Sequence, residues 1–178
     1  MAENEKLENI IAQCKAGSPD GFTELVNLYS NRLYGYYYRL TGNSTVSDDL
    51  LSELFVKLVQ KIDSYKGDCF DAWLFRVASN IFNDHLRHKM RQQKLLEQKG
   101  LSDGNSLWNE NIDEVDNFDE LQRLLSQLDG DTKELIVMRY YSQMSFKELA
   151  KTRNEPVGTT LSRLHRGLKR LKEQMVKK

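Results

Sequence analysis

The stretch PVGTTLSRLHRGLKRL, residues 156–171, predicts an amphipathic helix with two chemically different faces. Five aliphatic residues recur at intervals of three or four positions and therefore share one face of a 3.6-residue helix. They are Val157, Leu161, Leu164, Leu168 and Leu171. The opposite face carries hydroxyl groups near the helix start and arginines along its length. Such a face is either solvated surface or a nucleic-acid contact, and the preceding residues decide between the two.

A second helix precedes this one across a short polar turn. The run from Ser145 to Glu148 is a capping-box pattern that predicts a helix over about 145–152. Asn154 tolerates the left-handed backbone that the turn before Pro156 requires. Two helices joined in this way form a helix-turn-helix unit, whose second helix presents its first residues to the major groove. The candidate DNA contacts are Thr159, Thr160, Ser162, Arg163, Arg166 and Arg170.

The bulk composition is that of a folded chain large enough for one ordinary domain or two small ones. Charged residues make up 29% of the 178 residues, and no apolar run reaches the roughly 18 residues that span a bilayer. The acidic start MAENEKLENI lacks the features of a signal peptide, so we expect a cytoplasmic protein without membrane insertion. Cys14 and Cys69 lie far apart in the sequence, which indicates small buried hydrophobes in a reducing compartment.

Charge is distributed unevenly along the chain although the formal net charge is zero. Residues 71–100 hold six Lys and Arg against three Asp and Glu, and residues 131–178 hold twelve against five. Between them, residues 101–130 hold one against eight. Because phosphate is met by a local patch, two basic segments around an acidic one remain compatible with a nucleic-acid partner.

The apolar periodicity predicts an all-α protein made of two small helical domains joined by a flexible acidic linker. The first domain, 1–97, contains a helix over about 5–16 and one that begins at Ser18-Pro19 and ends near Gly42. Ser44 or Ser47 is expected to cap the next helix, and a long helix begins near Phe70. The linker, 98–117, is rich in Gly, Ser, Asn and acidic residues. The second domain, 118–178, adds two short helices, the second capped by Asp131, before the helix-turn-helix unit.

The long helix of the first domain carries a polar stripe suited to separated DNA strands. Its apolar side contains Phe70, Leu74, Val77, Ala78, Ile81 and His85. A second side carries amides and guanidinium groups at intervals of three and four, with an aromatic ring at its border. Bases stack on such rings and phosphates meet guanidinium groups, although a tryptophan here fits a core position equally well. The stripe and its border comprise Trp73, Arg76, Asn80, Asn83, Arg87 and Arg91.

Both basic segments resemble bacterial sigma-70 family RNA polymerase sigma factors of the extracytoplasmic-function group. Residues 148–166, ELAKTRNEPVGTTLSRLHR, resemble region 4 of that group, and residues 70–87, FDAWLFRVASNIFNDHLR, resemble region 2. The resemblance covers roughly 20–92 and 118–171 and follows the order of the family. The chain departs from the family pattern at five places. A serine replaces the usual glutamine at Ser52, charged or polar residues replace apolar ones at Arg153, Glu155 and Thr160, and Leu161 replaces a cation.

The resemblance implies a division of labour between the two domains. The first would bind core RNA polymerase through Asp48, Asp49, Leu50, Glu53, Leu54 and Phe55. It would also open the −10 element, with a flipped base received by the loop from about Lys66 to Asp71. The second would place the Pro156 helix in the −35 major groove, while the linker runs toward the RNA exit path. The implied partners are core polymerase, promoter DNA and an anti-sigma factor. No cofactor is implied.

Three other interpretations remain open from the residues. A stand-alone helix-turn-helix regulator would bind duplex DNA but leaves the matches at 48–55 and 73–87 unexplained. A sigma-like adaptor without promoter recognition would fit the departures at Glu155 and Leu161. A metal protein or enzyme would have to use Asp84, His85 and His88, but no third ligand and no catalytic constellation accompanies the two histidines. No ATP-binding motif is present, so strand opening would draw on binding energy.

Overall fold

A computed structural model describes residues 2–67, 69–98 and 120–176, and within these ranges every regular element is helical. The helices are α1 (Ala2–Lys15), α2 (Pro19–Thr41), α3 (Ser44–Lys61), α4 (Phe70–Gln98), α5 (Glu120–Ser126), α6 (Gly130–Ser142), α7 (Phe146–Arg153) and α8 (Val157–Val176). A 3-10 turn, Ile62–Ser64, follows α3. The all-helical prediction is confirmed. The predicted linker, apart from Gln98, lies outside the described residues, as does the start of the second domain at 118.

Local side-chain chemistry fixes where the first helices begin and end. Ser18 caps α2 by accepting a hydrogen bond from the Gly21 amide, and Gly42 ends the helix at φ 69°. Both features were predicted. The prediction for α3 was wrong, because Asn43 caps this helix by accepting from the Val46 amide. Asn is as good an N-cap as Ser, and it stands one residue before the first candidate serine.

The C-terminal helices show one confirmed cap and one error. Ser145 and Glu148 form the predicted capping box at the start of α7. Asp129, and not Asp131, caps α6, because its carboxylate accepts from the Thr132 amide at 2.9 Å. The two aspartates flank Gly130, so the sequence offered two caps in neighbouring registers.

The core of the first half is built from the inner faces of α1 to α4. Large side chains are fully buried there, and they include a pair of tyrosines near the C-terminal end of α2. The largest are Leu25, Leu33, Tyr36, Tyr37, Leu40, Leu54, Leu58, Leu74, Phe75, Ile81 and Phe82. The Tyr37 hydroxyl donates to the Ala78 carbonyl at 3.1 Å, so burial leaves that hydroxyl satisfied. Cys14 is buried as predicted, whereas Cys69 is only partly buried.

The buried face of α8 is rotated from the predicted aliphatic stripe. Thr160, Leu164, Gly167 and Leu171 are buried, while Leu168 is partly buried. Val157 and Leu161 lie exposed at the start of the helix. A glycine on the inner face allows this rotation, because a Cβ at Gly167 would lie 2.5 Å from Cγ2 of Thr132 in α6. The two helices therefore approach closely along a face that apolar spacing alone does not reveal.

The two predicted domains pack against each other, and polar contacts around α2 form part of this interface. Nζ of Lys133 donates to the Leu40 carbonyl at 2.8 Å, and Nε2 of Gln122 donates to the Arg39 carbonyl at 3.2 Å. Further along α2, Nε of Arg32 donates to the Tyr141 carbonyl at 2.6 Å. Side chains of α5 and α6 thus satisfy carbonyls at the end of α2 that no helical amide can reach. The described parts of the two domains form a closed arrangement.

A close contact between the halves at Gly35 yields a test of this arrangement. A Cβ at Gly35 would lie 2.6 Å from Cε1 of Tyr141, whereas one at Gly158 would meet nothing within 4 Å. Gly35→Leu should therefore overpack the interface, weakening closure by about 1–3 kcal/mol. Small-angle scattering should give about 16 Å for the radius of gyration of a compact chain of this length, and a larger value for the variant. Gly158→Leu is the control. Equal radii for all three proteins would contradict the closed arrangement.

The buried amine of Lys133 should make the free energy of unfolding depend on pH. Burial lowers the pKa of Lys133 from 10.5 to about 8. Between these values the unfolded chain holds a proton that the closed fold lacks, so raising the pH through this window favours the closed fold. The free energy of unfolding should rise by up to about 1.4 kcal/mol per pH unit relative to Lys133→Gln, which keeps a donor but does not titrate. Urea titrations from pH 7 to 9.5 measure the difference; parallel pH profiles would contradict the assignment.

Candidate polymerase and nucleic-acid interfaces

The predicted polymerase contacts on α3 divide into surface and core. Asp48, Asp49 and Glu53 are exposed, and Phe55 is partly buried against the core. Leu50 and Leu54 are buried inside the first half. The contact surface that α3 can offer is therefore narrower than the sequence suggested. The two leucines follow the same apolar spacing as any core position, which is why periodicity could not separate them from surface contacts.

Sequence reasoning missed two exposed valines on α3. Val56 is 58% exposed and Val59 is 55% exposed. Glu53 lies one helical turn before Val56, and Asp49 lies two turns before it on the same side of α3. Exposed β-branched residues beside Asp49 and Glu53 give this face an apolar centre with an acidic rim. A protein partner with basic and apolar side chains would match it.

The predicted −10 stripe lies along one side of α4, with unequal exposure. Asn80, Arg87 and Arg91 are exposed, as is Lys66 before the helix, while Arg76 and Asn83 are partly buried. Arg87 pairs with Asp84 at 2.7 Å on the surface. Because an exposed ion pair contributes little free energy, Arg87 can exchange this partner for a phosphate. The exposed members of the stripe are therefore Asn80, Arg87 and Arg91, and Asn83 interrupts them.

Trp73 belongs to an aromatic cluster at the start of α4. Its ring centroid lies 5.6 Å from that of Tyr65 and 5.5 Å from that of Phe70. Lys15 holds the cluster from α1, since its Nζ donates to the Tyr65 carbonyl at 2.7 Å and lies 5.4 Å from the Tyr65 ring. Trp73 remains partly exposed, so the cluster combines a packed inner side with an accessible edge. Tyr65 was not predicted, because it stands outside the periodic part of the sequence.

The middle of the α4 stripe contacts the second half of the chain. A carboxylate oxygen of Glu134 accepts from the Ser79 hydroxyl at 2.6 Å and from Nδ2 of Asn83 at 3.3 Å. Asn83 also donates to the Ser79 hydroxyl at 3.2 Å. One predicted −10 residue is therefore bound to α6 in the closed arrangement.

The helix-turn-helix unit has the predicted geometry. Asn154 ends α7 in the left-handed conformation at φ 53°, and the Glu155 amide donates to the Ala150 carbonyl at 3.0 Å. On α8, Thr159, Ser162, Arg166 and Arg170 are exposed, and Arg163 is partly buried. Thr160 is fully buried, with its hydroxyl directed to Glu155, so it supports the fold and does not face a groove.

Two of the departures from the family pattern pair with each other. Nε of Arg153 lies 3.4 Å from Glu155, and its Nη1 donates to Glu134 at 3.0 Å. Glu155 in turn accepts from Nη1 of Arg163 at 3.0 Å. Two charges that looked misplaced in apolar positions thus form an alternating chain of opposite charges, which is the arrangement that partly buried ions require.

Of the two histidines on α4, His85 is partly buried and His88 is exposed. Burial lowers the pKa of His85, and the neighbouring charges of Lys89 and His88 lower it further, so the neutral ring is favoured. Within the described part of the chain, no three His, Cys, Asp or Glu side chains are grouped to hold a metal ion. The helices in the same ranges are too short or too polar to cross a membrane.

Comparison with known proteins gives the same two segments in the same order. A family model described as Sigma-70 region 2 matches residues 25–92, and one described as Sigma-70, region 4 matches residues 118–171. The ECF RNA polymerase sigma factor SigW of Bacillus subtilis is 27% identical over 95% of this chain and 96% of its own length. SigE of Mycolicibacterium smegmatis is 29% identical over 86% of this chain and 61% of its own length.

Among solved structures, a sigma factor from Bartonella quintana shares the fold. That protein, RpoE, was crystallised with the anti-sigma factor NepR. It matches with a TM-score of 0.70 at 23% identity, over 86% of this chain and 96% of its own.

The charge chain around Arg153 predicts a large difference between two arginines. Arg153→Met removes the cation between Glu134 and Glu155, whose side chains are largely buried, and should lower the free energy of unfolding by about 3 kcal/mol. Arg87→Met breaks an exposed pair and should change it by less than about 0.5 kcal/mol. Urea denaturation measures both. Similar losses for the two variants would show that the Arg153 network contributes no more than a surface pair.

Proposed function

The chain belongs to the extracytoplasmic-function group of the sigma-70 family, and we propose how it directs core RNA polymerase to promoters and opens them. One observation carries the proposal: both sigma regions match in the family's order, and each presents an exposed face of the chemistry its task requires. The first face carries acids and valines for a protein partner. The second carries hydroxyls and arginines for a DNA groove.

We assign core polymerase binding to the first domain, residues 1–97. The contact is formed by the outer face of α3, with Asp48, Asp49 and Glu53 around Val56 and Val59. Phe55 contributes the part of its ring that reaches the surface. Leu50 and Leu54 hold α3 in the core and so act on the contact only through the position of the helix.

The same domain binds the separated −10 strand along α4. Lys66, Arg76, Arg87 and Arg91 supply charge for the phosphates, and Asn80 supplies hydrogen bonds to bases. Trp73 offers the accessible edge of the aromatic cluster. Asn83 can join this surface only after Glu134 withdraws from it, so binding to the −10 strand and the closed arrangement compete for one side chain.

The second domain, residues 118–178, places α8 in the major groove of the −35 element. Thr159 and Ser162 lie at the start of the helix, where base edges are approached. Arg163, Arg166 and Arg170 continue along it and meet bases or phosphates. Thr160 is omitted from this set because it is buried. The segment 98–117 connects the two DNA-binding surfaces.

Promoter opening requires binding energy from this protein and no catalysed reaction. Unstacking a base requires a few kcal/mol, which contacts to the −10 strand offset. The protein therefore acts as a regulatory subunit in the cytoplasm, without a cofactor and without catalysis of its own. We also propose an anti-sigma partner, since the similar RpoE was crystallised with one.

Binding to purified core polymerase tests the proposal without knowledge of the promoter. Asp49→Arg and Val56→Asp change exposed residues of the α3 face and should each weaken binding by at least about ten-fold, since a buried unpaired charge opposes association. Glu8→Arg, an exposed reversal on α1, is the control and should bind like the parent.

Circular dichroism must show that all three variants keep the helical fold. A folded parent that does not bind core polymerase would overturn the proposal in favour of a stand-alone DNA-binding regulator. Binding that survives both α3 variants would retain the sigma function but move the polymerase contact to another face.

A further inference from the structure

Glu155, in the turn of the helix-turn-helix unit, holds two residues of the recognition helix. Its Oε1 accepts from the Thr160 hydroxyl at 2.9 Å, and its Oε2 accepts from Nη1 of Arg163 at 3.0 Å. The side chain of Glu155 is only 14% exposed. Each carboxylate oxygen is therefore committed to a different turn of α8, and the pair of bonds fixes the carboxylate plane against the helix.

The turn itself fixes the carboxylate from the other side. Asn154 in the left-handed conformation and the bond from the Glu155 amide to Ala150 set the backbone. Arg153 lies 3.4 Å from the same carboxylate and is anchored in turn by Glu134 at 3.0 Å. Glu155 thus has little freedom to follow Arg163, and Arg163 must adopt the position that Glu155 offers.

This geometry leaves Arg163 able to bind DNA in one orientation. The bond to Glu155 uses one of the five N–H donors of the guanidinium group, whose side chain is 26% exposed. A guanidinium group held by a carboxylate loses less rotational freedom on binding, and its planar donors then suit bidentate contact with a guanine edge. An unheld arginine at the same place would reach nearby phosphates instead.

We propose that Glu155 is a positioning residue for promoter recognition, which directs Arg163 to a base edge in the −35 groove. The inference rests on the proposed −35 role of α8 and names the residue that sets its specificity. Glu155 also places a negative charge beside the groove, so it lowers attraction to phosphates while it orients the arginine. The two effects together favour sequence discrimination over non-specific binding.

A purely structural role of Glu155 and a positioning role predict different effects on DNA binding. If Glu155 only stabilised the turn, its replacement would lower stability or overall affinity but leave base preferences and salt dependence unchanged. If it positions Arg163, Glu155→Gln should broaden the base preference at the pair read by Arg163 and free the guanidinium group for a phosphate. The slope of log K against log salt should then steepen by about 0.9, the value for one added phosphate contact.

The experiment uses the complete chain reconstituted with core polymerase. Duplex DNA with a randomised upstream segment and a fixed, selected −10 segment is enriched by binding and sequenced for each protein. Arg163→Ala identifies the base pair that depends on that arginine. At this pair Glu155→Gln should reduce the preference by about ten-fold, the loss of one well-oriented bidentate contact, and leave the other pairs as in the parent.

Two further variants make the result decisive. Glu173→Gln removes the same charge from the exposed end of α8, where Glu173 meets only Lys169 at 3.9 Å among the ion pairs of the described residues, and should match the parent. Glu155→Asp keeps the charge but shortens the reach by one methylene. It should broaden the preference at the same pair without changing the salt slope, and it replaces Glu155→Gln if that variant does not fold.

Each result then supports or overturns the inference. Unchanged base preference and salt slope in the Glu155 variants would overturn it, while leaving promoter recognition by α8 intact. A parent that binds core polymerase but selects no upstream sequence would overturn both the inference and the −35 assignment. A parent that does not bind core polymerase would mark failure of the proposed function itself, so the levels of failure are distinguishable.

Discussion

The carboxylate of Glu134 is the point on which the closed structure depends. One of its oxygens serves Ser79 and Asn83 in the first half, and the other serves Arg153 in the second. The side chain is only 7% exposed, and the hydrogen-bond donors around it compensate for its removal from water. The same residue therefore joins the two halves, binds Asn83 of the proposed −10 surface, and anchors the charge chain that leads to α8. The buried Glu134 carboxylate therefore contributes to the fold, to the contact between the halves and to the position of α8.

The interface between the halves combines polar and apolar contacts. Lys133 and Gln122 satisfy carbonyls at the end of α2, and water can replace these donors if the halves move apart. The buried apolar side chains of both halves belong to one hydrophobic cluster, which includes Phe75 of the first half and Leu135 of the second. Separation would expose part of this cluster, so the hydrophobic effect opposes it more strongly than the loss of the polar contacts does.

The sequence predicted most of what depends on neighbouring residues and little of what depends on distant ones. The capping box at Ser145, the left-handed Asn154 and the end of α2 at Gly42 are local features, and each was confirmed. The N-caps observed for α3 and α6 lie one or two residues before the nearest predicted ones, because neighbouring side chains offer equivalent acceptor oxygens. The rotation of α8 depends on the close approach of Gly167 to α6, and the role of Glu134 depends on residues more than fifty positions away. Periodicity carries no information about such pairs.

The exposed leucine at the start of α8 has a consequence for how the protein is distributed in the cell. Leu161 is 41% exposed and stands at a position where the family pattern that this stretch resembles has a cation. An apolar side chain there releases no counterion on meeting a phosphate. Non-specific attraction of α8 to arbitrary chromosomal sequence then comes from its arginines, with one phosphate contact fewer than a cation at position 161 would add. A weaker hold on non-specific DNA leaves a larger share of the protein free to meet core polymerase.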